Sequence, residues 1–285
     1  MKLFYYKDPN GLRNFGDDMN PWFWEKFLPN GFNEQKDSIL VGIGTLLNDL
    51  HRELRDTPNI AVFGSGVGYG KQPPAVNEDW TIYCVRGPLS AKALGIDKNL
   101  AVTDPATLVN QFVSVPAIKC HNFSYVPHAI HANDAIRKIC EDSDIHYIDP
   151  RNPIQEVFQE IADTKVLLTE AMHGAIVGNS LRVPWVPVVT AKIINVFKWR
   201  DWCASVGLEY TPNPMMPVWS CTKEANALAK LRNSTRLALA RRQLVKICRT
   251  AKPQLSSDAR LKTLTHQLLD KMDILRSDIQ HNKYL

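Results

Sequence analysis

The sequence predicts an α/β protein made of two Rossmann-like parallel-sheet domains facing a cleft, followed by C-terminal helices. Three observations predict it. Short apolar runs alternate with amphipathic or loop-like stretches, and each run ends near Gly, Asn or Asp, the rhythm of repeated βα units on a mostly parallel sheet. The chain has 285 residues, more than one core usually supports, so two domains of ordinary size are expected. Its hydrophobic share of 45% and charged share of 22% give a proper core under a charged surface.

Taken in order, Leu3 to Tyr6 reads as the first strand, Ile39 to Ile43 as the second, Ile60 to Phe63 as the third and Ile82 to Val85 as the fourth. Ala101 to Pro105 closes this half as a strand running into a Pro-bounded turn. A second set follows at Phe123 to Val126, Ile145 to Ile148, Val166 to Leu168 and Trp185 to Val189. The crossover near residues 111 to 121 carries Pro116 and weak periodicity, which divides the chain into an N-terminal domain at 1–115 and a C-terminal domain at 116–222. Residues 223–285 form a helical extension. Within it, Ala225 to Thr250 reads as one amphipathic helix whose polar face (Lys230, Arg232, Arg236, Arg241, Arg242, Lys246, Arg249) carries no acid after Glu224. Such a face is usually just solvated, and it also suits an anionic leaflet or a pyrophosphate-linked lipid. Beyond Pro253, Asp258 to His281 mixes acids and bases and reads as a packing or dimerising helix.

The formal net charge of +5 is too modest for a dedicated nucleic-acid binder and favours small acidic ligands or an anionic membrane surface. Six cysteines (Cys84, Cys120, Cys140, Cys203, Cys221, Cys248) are scattered without C-x-x-C or zinc spacing and read as reduced thiols. No apolar run has the length of a membrane span, and the N-terminal run is too short for a signal peptide. The expected home is the cytoplasm, with peripheral contact at the inner membrane face.

The candidate site centres on Thr169-Glu170-Ala171-Met172-His173-Gly174, between two strand-like runs. The carboxyl end of a strand in an open α/β sheet borders a crevice, and the next helix presents unpaired N–H groups there. With a helix starting near Thr169, Glu170 and His173 share one face of its first turn, so the carboxylate can orient an imidazole that moves a proton near neutral pH. Gly174 would leave the face beside that ring bare. A helix-capping pair followed by a buried, hydrogen-bonded histidine fits the same residues about equally well.

Other strand-end turns carry weaker signals. Asn14-Phe15-Gly16-Asp17-Asp18 follows the first strand, and its two carboxylates fit N-capping better than a metal. Gly42 and Gly44, then Gly64-Ser65-Gly66 and Gly68, allow tight turns of the kind that cradle phosphates or sugars, but they lack the dinucleotide spacing. Arg86 stands at a strand end before Gly87-Pro88, where a guanidinium either holds a carboxylate or phosphate or forms an ordinary ion pair.

These motifs, with Val85-Arg86-Gly87-Pro88-Leu89-Ser90 and Thr103-Asp104-Pro105-Ala106, resemble in order and spacing the polysaccharide pyruvyl transferases, over most of residues 1 to 190. The resemblance implies a GT-B-like fold and transfer of a pyruvyl group from phosphoenolpyruvate to a lipid-linked exopolysaccharide or cell-surface oligosaccharide. A cyclic ketal forms and phosphate is released, without a further cofactor. It places His173 near the donor, and since phosphoenolpyruvate needs an acid at carbon 3, His173 is the candidate for that acid, with Glu170 as its orienter or as the base for the acceptor hydroxyl. Arg86 corresponds to the family's Arg-x-x-x-Ser turn. Many members carry Arg where this chain has Ala171, which leaves the donor's anions to Arg86, Arg182 or another cation; Asp17, Asp18, Gly44, Gly64, Ser65, Gly66 and Gly174 complete the expected binding residues. No metal is expected. Two other functions fit the same crevice: a GT-B glycosyltransferase using a nucleotide sugar, and a non-catalytic glycan- or lipid-binding protein.

Overall fold

Four short apolar strands, β1 (Lys2–Phe4), β2 (Ser38–Val41), β3 (Asn59–Phe63) and β4 (Trp80–Cys84), pair in parallel in the order β1-β2-β3-β4. Five more, β5 (His121–Val126), β6 (His146–Tyr147), β7 (Thr164–Thr169), β8 (Trp185–Val189) and β9 (Asn213–Pro214), form a second parallel sheet in the order β6-β5-β7-β8-β9. The computed structural model describes residues 1–33, 37–218, 227–281 and 283–284, the side chains of 227–231 excepted. Strand β2 is buried at every position, as expected for a parallel strand covered on both faces. Ala101 contributes only a single parallel bridge to Val85.

The helices are α1 (Phe15–Phe27), α2 (Glu53–Asp56), α3 (Pro88–Leu94), α4 (Asp134–Glu141), α5 (Ile154–Ala162), α6 (Met172–Ser180), α7 (Val196–Ser205), α8 (Ala227–Thr250) and α9 (Asp258–Gln280). Local chemistry sets many of their ends. Asn14 caps α1 by accepting from the Gly16 N–H, and Asp17 and Asp18 complement the dipole in its first turn. Pro88 starts α3, and Gly95, at φ 67°, ends it in the left-handed conformation a C-cap favours. Helix α6 is buried nearly all round, a core helix between the lobes.

Phe15, Trp24 and Phe63 on the first-sheet side join Phe158, Leu167 and Trp185 on the second in one continuous apolar cluster. Helix α6 packs on the 3₁₀ helix Pro105–Gln111, and α1 packs on α5, so the lobes are welded along their flanks. The chain returns to the first lobe twice more. After β8, α7 packs on α3 of the first lobe. Helix α8 lies on α4, with Ala240, Leu244 and Ile247 buried beside Tyr125, Ile139 and Val186. Helix α9 returns to β4.

The last helix, expected to pack or dimerise, buries Leu264, Leu268, Met272 and Leu275 in this chain's own core. Tyr83 donates to Asp278 (2.5 Å) and also contacts the Tyr284 hydroxyl (2.6 Å). On the basic helix, Arg232, Arg242, Lys246 and Arg249 are exposed, whereas Arg241 is tied to the Asp142 carbonyl and the Ser143 hydroxyl. The side chains of Leu228, Lys230 and Leu231 lie outside the described residues, as do Glu224 and Ala225. Cys84, Cys120, Cys140, Cys203 and Cys248 are free thiols, and Cys221 is likewise outside the described residues. Among the described residues no helix is long and apolar enough to cross a membrane.

Candidate active site

A cavity of about 350 Å³ opens where the carboxyl ends of the strands of both sheets meet. Tyr6 and Asp17 line it from the segment after β1, Gly44 and Thr45 from the loop after β2, His128 and Ile130 from the loop after β5, and His173 from α6; Lys198 of α7 completes the wall.

His173 occupies the second position of α6, and its ring lies against the backbone of Gly16 at the start of α1. A Cβ on Gly16 would stand 2.1 Å from its Nδ1, so any side chain at 16 would drive the imidazole from its place. On the other edge, Nε2 faces Asp104 Oδ2 at 3.7 Å, and both atoms are buried without a hydrogen-bond partner among the described residues. The other oxygen, Oδ1, accepts the Ala106 N–H (3.0 Å) and caps the 3₁₀ helix that begins at Pro105. The carboxylate is thus anchored at one oxygen and aimed at the imidazole with the other. Such an unpaired buried couple stands out, because buried polar atoms are almost always satisfied.

Glu170 is not the partner of His173. Its N–H still pairs with the Val126 carbonyl (2.9 Å) at the sheet edge, and the helix begins only at Met172, so the two side chains do not share a helical face. Its buried carboxylate accepts from His131 Nδ1 (2.9 Å), the His128 N–H (3.1 Å), the Thr190 N–H (3.0 Å) and the Thr190 hydroxyl. Burial alone would raise its pKa, but the hydrogen bonds and charge of His131, then Thr190 and the His128 N–H, bring it below the ordinary glutamate value. It acts as a knot joining the loops after β5, β7 and β8.

Arg86 is also turned away from the cavity. It is fully buried, bonded through Nε to Asp201 of α7 (3.1 Å), through Nη2 to the Val67 carbonyl (2.8 Å) and through Nη1 to the Thr45 hydroxyl (2.7 Å). Gly66 lets it pass, since a Cβ there would lie 2.2 Å from Arg86 Cζ. Gly64, at φ 74°, packs on Pro105. The Ser65 hydroxyl donates to the Gly44 carbonyl (3.2 Å), so this turn serves packing and only Gly44 of the set lines the cavity. Arg182 lies outside it, donating to the Ser256 carbonyl and Asp258 (both 2.7 Å). Gly174 gives room to Thr169 Oγ1, not to a ligand. The adjacent carboxylates diverge: Asp17 reaches the cavity and accepts from Asn14 Nδ2 (2.6 Å), whereas Asp18 accepts the Asn14 N–H (3.3 Å) and pairs with Arg13.

The cavity cation is Lys198; no arginine lines it among the described residues. Its Nζ donates to the Tyr69 hydroxyl at 3.2 Å. Burial pushes the Asp17 carboxyl above its ordinary value, against the pull of His173 and Lys198. Among the described residues, no group of three or more His, Cys, Asp or Glu is placed to hold a metal ion.

Residues 2–191 match the sequence profile of the polysaccharide pyruvyl transferases. The chain is also similar to the succinoglycan biosynthesis protein ExoV of Rhizobium meliloti (strain 1021), 39% identical over 216 residues that cover 74% of this chain and 67% of that protein. The matched span holds every cavity-lining residue except Lys198, and on it the chain belongs to the polysaccharide pyruvyl transferase family.

Proposed function

We propose that this pyruvyltransferase takes its pyruvyl group from phosphoenolpyruvate, sets it as a cyclic ketal on a sugar of a lipid-linked exopolysaccharide oligosaccharide, and releases phosphate. The observation that carries the reading is the His173 imidazole, backed by Asp104 and facing a small cavity with Lys198 in its wall. Lys198 attracts the donor's anionic oxygens. His173 delivers a proton to carbon 3, which leaves cationic character at carbon 2, and Asp104 holds the imidazole in place. A sugar hydroxyl attacks carbon 2 and yields its proton to Asp17, whose raised pKa suits a base. The bond from carbon 2 to the phosphate oxygen then breaks, and the proton held by Asp17 leaves with the phosphate. A second hydroxyl of the same sugar closes the ketal and returns a proton to His173.

The test is inorganic phosphate release from phosphoenolpyruvate across a panel of lipid-linked oligosaccharides. Lys198→Ala is expected to raise the KM for phosphoenolpyruvate by roughly tenfold to a hundredfold, the value of one charge-assisted contact, with the fold kept. Saturable binding of a nucleotide sugar, with neither binding nor turnover of phosphoenolpyruvate, would replace this reading by glycosyl transfer.

Acceptors of this kind sit in a membrane, and the exposed Arg242, Lys246 and Arg249 of α8 offer contacts to an anionic leaflet. Co-sedimentation with phosphatidylserine vesicles is expected to fall when all three become glutamate. Unchanged binding would place the membrane contact elsewhere.

A further inference from the structure

Besides His173, two imidazoles line the cavity, His51 and His128, and the steps above use neither. His128 follows β5, and its position is fixed from two sides. Its backbone N–H donates to Glu170 Oε2 (3.1 Å), and as N-cap of the 3₁₀ helix Ala129–His131 its Nδ1 accepts the Ile130 N–H at 3.4 Å. An imidazole that accepts through Nδ1 carries its proton on Nε2 when neutral. No other hydrogen bond holds the ring among the described residues, so this second N–H is left for whatever enters the cavity.

The charged groups around it come from three elements. Lys198 of α7 opposes a positive charge on the ring, as does His131 of the same 3₁₀ turn, and Glu170 at the end of β7 favours one. The Glu170 carboxylate, however, is already shared among His131, Thr190 and the His128 N–H. Burial, then Lys198, bring the His128 pKa down to about 4, so the ring is uncharged at neutral pH.

We infer that His128 is a neutral N–H donor that binds an oxygen of an anionic substrate beside Lys198. The inference rests on the donor reading only for the identity of that anion; the chemistry shared by phosphate and carboxylate suffices for the rest. A neutral donor has a distinct use next to a lysine and a proton-transferring histidine: it holds an oxyanion without adding a second proton that could be lost to it.

The test is nitrogen NMR of protein carrying 15N-labelled histidine, with the His128 signals assigned by their loss in His128→Gln. The expected spectrum shows Nε2 protonated and Nδ1 unprotonated throughout about pH 5.5 to 8.5, with the Nε2 signal moving on addition of phosphoenolpyruvate or inorganic phosphate. In turnover, His128→Ala is expected to raise the KM for phosphoenolpyruvate by about tenfold and leave that for the acceptor unchanged. His128→Gln, whose side-chain amide can place an N–H near the Nε2 position, should recover most of the loss. Titration of His128 near neutrality, the opposite tautomer, or an Nε2 signal indifferent to both anions overturns the inference. A protein whose Nε2 answers inorganic phosphate but which releases none from phosphoenolpyruvate keeps this inference and loses the donor reading.

Discussion

Replacing His173 by alanine is expected to lower phosphate release from phosphoenolpyruvate by about a thousandfold, the scale of a lost general acid, with thermal unfolding close to that of the parent protein. Among the described residues the ring makes no hydrogen bond that the fold depends on, because Nε2 has none and Nδ1 lies against Gly16. The sharper experiment is Asp104→Asn. Asparagine keeps an oxygen for the Ala106 N–H, so the cap on the 3₁₀ helix survives, while the charge facing Nε2 disappears. The present separation of 3.7 Å is longer than a hydrogen bond, and such contacts commonly tighten once substrate expels water. We expect kcat to fall by about a hundredfold or more with the KM for phosphoenolpyruvate little changed, since an imidazole without its carboxylate loses the group that orients it. Retention of kcat within about twofold would remove Asp104 from the mechanism and leave His173 without an orienter.

What could be read from the sequence, and what could not, follows from the range of the interactions. Strands such as Ile39 to Ile43 and Trp185 to Val189 were legible because a parallel strand covered on both faces must be an unbroken apolar run. The position of the site was legible for a related reason: strand ends in such sheets border the crevice whichever side chains fill it. The pairings inside the site were not. Glu170 and His173 have the spacing of one helical face, but that face exists only inside a helix. Here the Thr169 hydroxyl, accepting the Ala171 N–H and donating to the Ala171 carbonyl, holds the chain in a turn until Met172. Asp104 gave the signature of a turn cap, Asp before Pro, and nothing local reveals that its second oxygen looks across at an imidazole from the other lobe. Nothing in the sequence around Lys198 marks it as a site residue. Only the return of α7 to the first lobe brings it to the cavity wall.

Arg86 is the clearest case, because its strand-end position reads the same whether the guanidinium meets a ligand or a buried acid. Its acid, Asp201, is 115 residues away and does more than neutralise it. One Asp201 oxygen accepts the Leu89 and Ser90 N–H groups, both at 2.9 Å, and so caps α3 from a different helix, while the other accepts from the Ser90 hydroxyl and Arg86. Both side chains are fully shielded from solvent. Asp201→Ala therefore removes a cap and strands a buried positive charge, and is expected to cost about 3–5 kcal/mol, a large part of an ordinary domain's stability. Arg86→Met should cost less, because Asp201 keeps its three donors from α3. Arg86→Met combined with Asp201→Leu should lie above Asp201→Ala, since no lone charge remains inside. Urea unfolding orders the three through their midpoints at constant slope. A loss under about 1 kcal/mol for Asp201→Ala would mean that water or another anion reaches Arg86, and would reopen that guanidinium to the donor substrate.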